Sequence, residues 1–179
     1  DLNDPLSKFV PSFKNMMVIN TFNEADGSYT TEPAKSEITI RHLMTHTSGI
    51  SYSFVNKHIA TIYAKYSIPD VTTVKNTTIA ETVDKLAKLP LAVQPGTEFN
   101  YGLSTDVLGR VIEIVSGTSL DKFVTDHILQ PLGMNDTYFF LPDDKYNRLI
   151  SLYSEDSTGI HEMAETITIN AKFLRDYPK

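Results

Sequence analysis

The spacing of apolar and polar positions changes several times along the chain, and each change marks an element. Leu6, Phe9 and Val10 follow Asp4-Pro5 and predict a short helical turn closed by Pro11, because proline suits a first turn and stops one it cannot continue. Residues 16–22 then alternate loosely between apolar and polar positions. Asp26-Gly27 offers a turn with positive φ, and residues 28–31 return as a second strand. The pattern predicts a small hairpin lying against helices. Thr39 can cap the next helix, which carries Leu43 and Met44 inward and ends at Gly49. Within residues 55–66, Ile59, Ile62, Tyr63 and Tyr66 recur at helical spacing. A polar, proline-containing connection over 67–76 leads to Thr78-Ile79-Ala80-Glu81. This has the form of a capping box, in which Thr and Glu satisfy each other's free backbone donors. The helix it opens shows Ile79, Val83, Leu86 and Ala87 on one face and stops by Pro90.

After the Pro95-Gly96 turn, Ser104 reads as the cap of the most hydrophobic helix. Val107, Leu108, Val111, Ile112, Ile114 and Val115 surround that helix on nearly all sides, which predicts a buried centre. Gly117 stops it. Ser119 opens another helix with Leu120, Phe123, Val124 and Ile128 on one face and Pro131 at its end. Beyond about Tyr138 the pattern thins to a short strand at 149–153 and a last helical turn at 171–177. Neither a repeat nor a linker interrupts the chain, so residues 1–179 read as a single, mainly α (α+β) domain.

Composition narrows the function classes. A chain of 179 residues can bury a sizeable core, and 41% hydrophobic with 21% charged residues is ordinary for a globular domain. With 16 Lys and Arg against 22 Asp and Glu, the formal charge is −6, and no basic block could replace counterions on a nucleic acid. Zero cysteines exclude disulfides, thiolate catalysis and cysteine zinc sites. No apolar run is long enough to span a bilayer, so no membrane span is expected.

Three phrases carry chemistry: ITIRHLMTHTSG at 38–49, PGTEFNYGLSTDVLGRVIEIVSG at 95–117, and SLDKFVTDHILQPLGM at 119–134. In this order and spacing they resemble the serine β-lactamase and penicillin-binding-protein family, in particular its class C-like branch with esterases and D-amino-acid peptidases. The resemblance covers the chain to about Ile150. It implies the helical domain of the β-lactamase/transpeptidase-like fold with a small β-hairpin, and a hydrolase that works through an acyl-enzyme without a cofactor or metal. It further implies an internal fragment, with the nucleophile's Ser-x-x-Lys helix expected before Asp1 and a Lys/His-x-Gly strand after Lys179. The remaining parts of the parent chain would then be its partners, and a periplasmic or secreted location fits the family. A fragment of this kind should be inactive alone.

The resemblance makes Tyr101 the catalytic candidate, matching the tyrosine of the family's Tyr-x-Asn phrase. A phenol is a weak base at its ordinary pKa of about 10, but a neighbouring lysine favours the phenolate, which can take a serine proton and later activate water. Here the phrase is Tyr101-Gly102-Leu103. Leu103 cannot offer the hydrogen bond by which the family's asparagine meets a substrate amide, so the phrase looks more like that of family VIII carboxylesterases. The substrates expected are therefore an ester, a D-amino-acid peptide and a β-lactam, in that order of preference. Residues 51–73 line a cleft wall in the family, which makes Tyr52 and Phe54 substrate-contact candidates, although core packing explains them as well.

Other motifs yield to simpler explanations. Ser119-Leu120-Asp121-Lys122 is a literal Ser-x-x-Lys, but Ser119 starts a helix just after Gly117, and a capping serine suffices. His42 and His46 are four residues apart on one predicted helix, yet no third ligand is evident. The resemblance instead implies that His46 is a buttress near the active-site helix. Ser51, in Gly49-Ile50-Ser51, lacks the second glycine and the feeding strand of a nucleophile elbow. Asn76-Thr77-Thr78 and Asn135-Asp136-Thr137 are formal glycosylation sequons that arise often by chance. The rival of a different class is a binding or scaffold module that kept the fold and lost the chemistry.

Overall fold

A computed structural model of the chain describes residues 1–69, 77–148, 150–151 and 153–162. The helical turn expected at 171–177, much of the connection at 67–76 and two residues of the strand expected at 149–153 lie outside the described residues.

The chain enters through two 3₁₀ turns, Leu6–Lys8 and Pro11–Phe13. Pro11 opens the second rather than closing the first, because its fixed φ suits a first helical position. Leu6 and Phe13 both point into the core. Strands β1 (Met17–Phe22) and β2 (Tyr29–Pro33) form the expected antiparallel hairpin, with a bulge between Ile19 and Thr21 and Gly27 at φ +70° in the turn. Two backbone bonds to the segment at Leu91 pin β1 to the body: Ile19 N–H to Leu91 O at 2.9 Å, and Leu91 N–H to Met17 O at 2.8 Å.

Helix α1 (Ile40–Met44) starts at Thr39 with a reciprocal cap: Thr39 Oγ1 accepts from His42 N, and Thr39 N donates to His42 Nδ1. Leu43 is fully buried, but Met44, at the last helical position, is exposed. Helix α2 (Lys57–Tyr66) is capped by Asn56, whose Oδ1 accepts from His58 N and Ile59 N, and it ends on a left-handed Ser67. Helix α3 (Ile79–Leu86) carries the capping box in full: Thr78 N donates to Glu81 Oε2, and Glu81 N donates to Thr78 Oγ1.

Helix α4 (Ser104–Ser116) departs from expectation twice. Ser104 does not cap it; Leu103 occupies the cap position, and Ser104 turns inward as the first helical residue. Nor is the helix buried all round. Val107 and Val111 face the core, whereas Ile114 and Val115 are exposed, at 39% and 67%. A Cβ at Gly109 would lie 2.9 Å from Leu120 Cδ2, so the missing side chain lets helix α5 (Leu120–Val124) come close. Ser119 stands at the start of α5 without a capping bond from its hydroxyl; Leu120 N donates to Glu113 Oε1 of α4 instead.

A π turn at Thr125–Leu129 follows α5. Its wider hydrogen bonds, such as Gln130 N to Thr125 O at 2.9 Å, advance the inward face by one residue. Leu129 is therefore buried and Ile128 exposed, the reverse of what regular helical spacing predicts. Strands β3 (Tyr153–Asp156) and β4 (Gly159–Glu162) form a second antiparallel hairpin where one short strand was expected. Five helices with two two-stranded sheets make the described residues a mixed α and β architecture.

Candidate active site

Two loops meet at the top of the core: residues 46–52, after α1, and residues 99–103, before α4. Backbone bonds join them at both ends. Asn100 N donates to His46 O at 2.7 Å, and Tyr52 N donates to Tyr101 O at 3.2 Å. Between these lies a buried polar network. Ser48 Oγ and Ser104 Oγ are 2.9 Å apart, Ser51 Oγ donates to Asn100 Oδ1 at 3.1 Å, and Asn100 Nδ2 reaches Gly49 O at 3.5 Å. All four side chains are buried, so each hydrogen bond matters more than it would in water, and losing one strands a partner.

Gly102 permits the close approach: a Cβ there would stand 2.4 Å from Ile50 O. Gly49, at φ +85°, lets its loop pack against a further segment, since a Cβ there would stand 2.3 Å from Val93 O. The HTSG and Tyr-Gly-Leu-Ser phrases are thus two halves of one packed unit.

Tyr101 rides on this unit with 43% of its surface exposed. Its ring centroid lies 4.8 Å from His46 and 5.2 Å from Tyr52, the latter edge-on. Tyr52 in turn stacks on Phe54 at 5.1 Å, and Phe99 meets His46 edge-on at 5.9 Å. These are distances at which aromatic pairs attract. The Tyr101 hydroxyl makes no hydrogen bond among the described residues. Phe54 is exposed, whereas Tyr52 and Leu103 are buried. Tyr101, Tyr52 and Phe54 are therefore brought together, and Leu103 packs beneath them as part of the hydrophobic core.

The other sequence candidates lie elsewhere. Lys122 Nζ is bound to Asp126 Oδ2 at 2.5 Å, an ordinary i, i+4 helix pair. Ser51 is fully buried and spent on Asn100. His42 and His46 part company: His42 closes the cap of α1, while His46 lies beyond the helix at φ +51°. Among the described residues no group of three His, Asp or Glu side chains could hold a metal ion.

Burial shifts three nearby groups. It pushes the Tyr63 phenol well above its usual range, with a hydrogen bond from the Ser51 backbone pulling weakly the other way. It raises the Asp106 carboxyl in the first turn of α4, opposed by a backbone hydrogen bond. It lowers His42, helped by the charge of Arg41. Sequence reasoning missed the scaffold of Ser48, Asn100, Gly102 and Ser104; the one available signal was a run of small and polar residues too dense for a core that is otherwise aliphatic.

Comparison with known proteins adds a second line. The description of the Beta-lactamase family matches residues 1–167. The chain is 34% identical over 157 residues to a lovastatin esterase of Penicillium rubens, covering 87% of this chain and 38% of that protein. It is 35% identical over 138 residues to esterase EstB of Burkholderia gladioli, covering 77% of this chain and 32% of EstB. Its structure resembles that of EstCE1, a hydrolase with promiscuous acyltransferase activity, with a TM-score of 0.72 and 29% identity over 92% of this chain and 39% of EstCE1. The chain thus spans less than two-fifths of the length of each of these proteins.

Proposed function

The chain belongs to the Beta-lactamase family, and from that premise we propose that it supplies the catalytic phenol of a serine esterase within a polypeptide of its relatives' length. In this reading a serine hydroxyl from a Ser-x-x-Lys phrase elsewhere in that polypeptide attacks the ester carbonyl. Tyr101, acting as the base, takes the serine proton as the carbon–oxygen bond forms. The proton passes to the departing alcohol as the ester bond breaks, which leaves an acyl-serine. Water then attacks the acyl carbon and gives its proton to Tyr101. The carboxylic acid leaves, and the serine recovers its hydrogen.

One observation carries the reading: Tyr101 has its ring held by His46 and Tyr52 while its hydroxyl has no partner among the described residues. The two ring contacts fix the phenol while 43% of the residue stays exposed, so the hydroxyl is placed to meet a group beyond this surface. The Tyr101-Gly102-Leu103 phrase favours esters over amides because it lacks the asparagine that would hydrogen-bond a substrate amide; Leu103 itself packs into the core. The names of the relatives agree, two being esterases and one a hydrolase. Phe54, and the edge of Tyr52 behind it, would wall the acyl or alcohol group. A D-amino-acid peptide or a β-lactam ranks after an ester as substrate.

The test is Tyr101→Phe in a polypeptide of the relatives' length, assayed on a chromogenic ester. The kcat should fall by roughly 10²–10⁴, the usual worth of a positioned general base, with the melting temperature nearly unchanged. An undiminished kcat sinks the assignment. The chain by itself should not turn over the ester, and acylation of Ser119 detected by intact mass would contradict that.

A further inference from the structure

His46 carries two costs at one position, and glycine would remove both. Helix α1 ends at Met44 with Thr45 as its cap, so His46 occupies the next position, where a chain leaving a helix often turns left-handed and glycine is the usual residue. His46 adopts that conformation, with φ +51°. Histidine visits this region more often than most residues, but a side chain there is still disfavoured relative to glycine. The second cost is polar: His46 Nδ1 is buried and has no hydrogen-bond partner among the described residues.

What histidine adds is its ring. The imidazole lies 4.8 Å from the Tyr101 ring at a tilt of 54°, and 5.9 Å from Phe99 in an edge contact at 62°. Its backbone is fixed to the same loop, since His46 O accepts from Asn100 N at 2.7 Å. The left-handed turn is therefore what aims the imidazole at the residues on either side of Asn100. Strain held beside a reactive group is a pointer from geometry to function.

We propose that His46 is a positioning residue for Tyr101: its imidazole, aimed by left-handed backbone, clamps the phenol ring together with Tyr52 and sets the direction of the hydroxyl. This rests on the reading of Tyr101 as the base. His46 moves no proton in the reaction and acts only through the ring it holds.

The first arm of the test needs no turnover. The chain is labelled with 3-fluorotyrosine, and the ¹⁹F resonance of Tyr101 is assigned by its loss in Tyr101→Phe. His46→Gly should shift and broaden that resonance and leave the Tyr138 resonance in place, with a melting temperature equal to or above that of the parent. His46→Asn, which tolerates the same backbone but lacks the ring, should give the same shift. A Tyr101 resonance unmoved in both variants overturns the proposal.

The second arm uses the ester assay on the longer polypeptide. His46→Gly should lower kcat by roughly 10- to 100-fold, the scale of a small misplacement of a reacting group, while KM stays within about twofold. A full rate in His46→Gly beside a slow Tyr101→Phe overturns the role of His46 alone. A full rate in Tyr101→Phe overturns the base assignment, and the positioning role falls with it.

Discussion

The loop pair that carries Tyr101 and the hairpin β3–β4 are both short, polar, glycine-containing stretches, yet they are held in opposite ways. In the loop pair, Ser48, Ser51, Asn100 and Ser104 are buried and bonded to one another or to backbone across the junction. In the hairpin every strand residue is exposed, and the turn is held by Asp156, whose Oδ1 accepts from Thr158 N and Oγ1, with His161 nearby. Those exposed contacts compete with water and contribute little to stability. Buried polar bonds have no such competitor, and they specify one geometry because any other leaves a donor or acceptor stranded. A catalytic hydroxyl needs placement to within a fraction of an ångström, and only the first kind of construction provides it.

Four measurements test that contrast, from the largest effect to the smallest. Leu43 lies under the turn that leads into the loop pair and is fully buried. Leu43→Ala should lower unfolding stability by roughly 2–5 kcal/mol through lost transfer energy and the cavity left behind. An unchanged chemical-denaturation midpoint would show that the loop pair does not rest on this core.

Gly102→Ala comes next. Its added Cβ would meet Ile50 O at 2.4 Å and Ser51 Cα at 2.5 Å, backbone atoms that cannot swing aside. A cost of about 1–3 kcal/mol is expected for such overpacking, together with a moved Tyr101 resonance. An equally stable variant with Tyr101 undisturbed would break the picture of two loops in tight contact.

The third measurement uses pH. Burial holds the folded-state pKa of His42 below its ordinary 6.5, and His42 Nδ1 accepts from Thr39 N in the α1 cap. The neutral form is therefore the native one. Its contribution is complete above about pH 6.5 and is lost as pH falls through the lowered folded value, because the unfolded chain takes up the proton first. The melting temperature should decline as the pH falls below about 6.5. His42→Gln keeps a capping acceptor without a titrating group and should flatten that decline; an equal slope in both proteins would exclude His42 as its source.

The smallest effect belongs to the hairpin. Ile160 is 72% exposed, so Ile160→Ala should change stability by less than about 0.5 kcal/mol. A loss as large as that of Gly102→Ala, measured by the same denaturation curves, would erase the distinction between the two regions.

The features legible in the sequence are those whose partners lie close along the chain. Thr78 and Glu81 sit three residues apart and can satisfy each other in almost any context, so their capping box is visible before any fold is known. The same holds for Thr39 ahead of α1 and for Asp26-Gly27 between β1 and β2. Tyr101 became a candidate only through resemblance, since nothing in its local spacing separates a reactive phenol from a packing one.

Tertiary structure decided the rest. Ser104 has the form of a helix cap, but Ser48, 56 residues away, takes its hydroxyl inward. The π turn at Thr125–Leu129 exchanges Ile128 for Leu129 at the core, a one-residue change that periodicity cannot anticipate. Helix α4 is apolar nearly all round, yet only one side meets the core. A local bond closes within one turn of chain and is written in neighbouring residues. A bond between distant segments exists only once the hydrophobic core has brought them together, and the setting of Tyr101 is made almost entirely of such bonds.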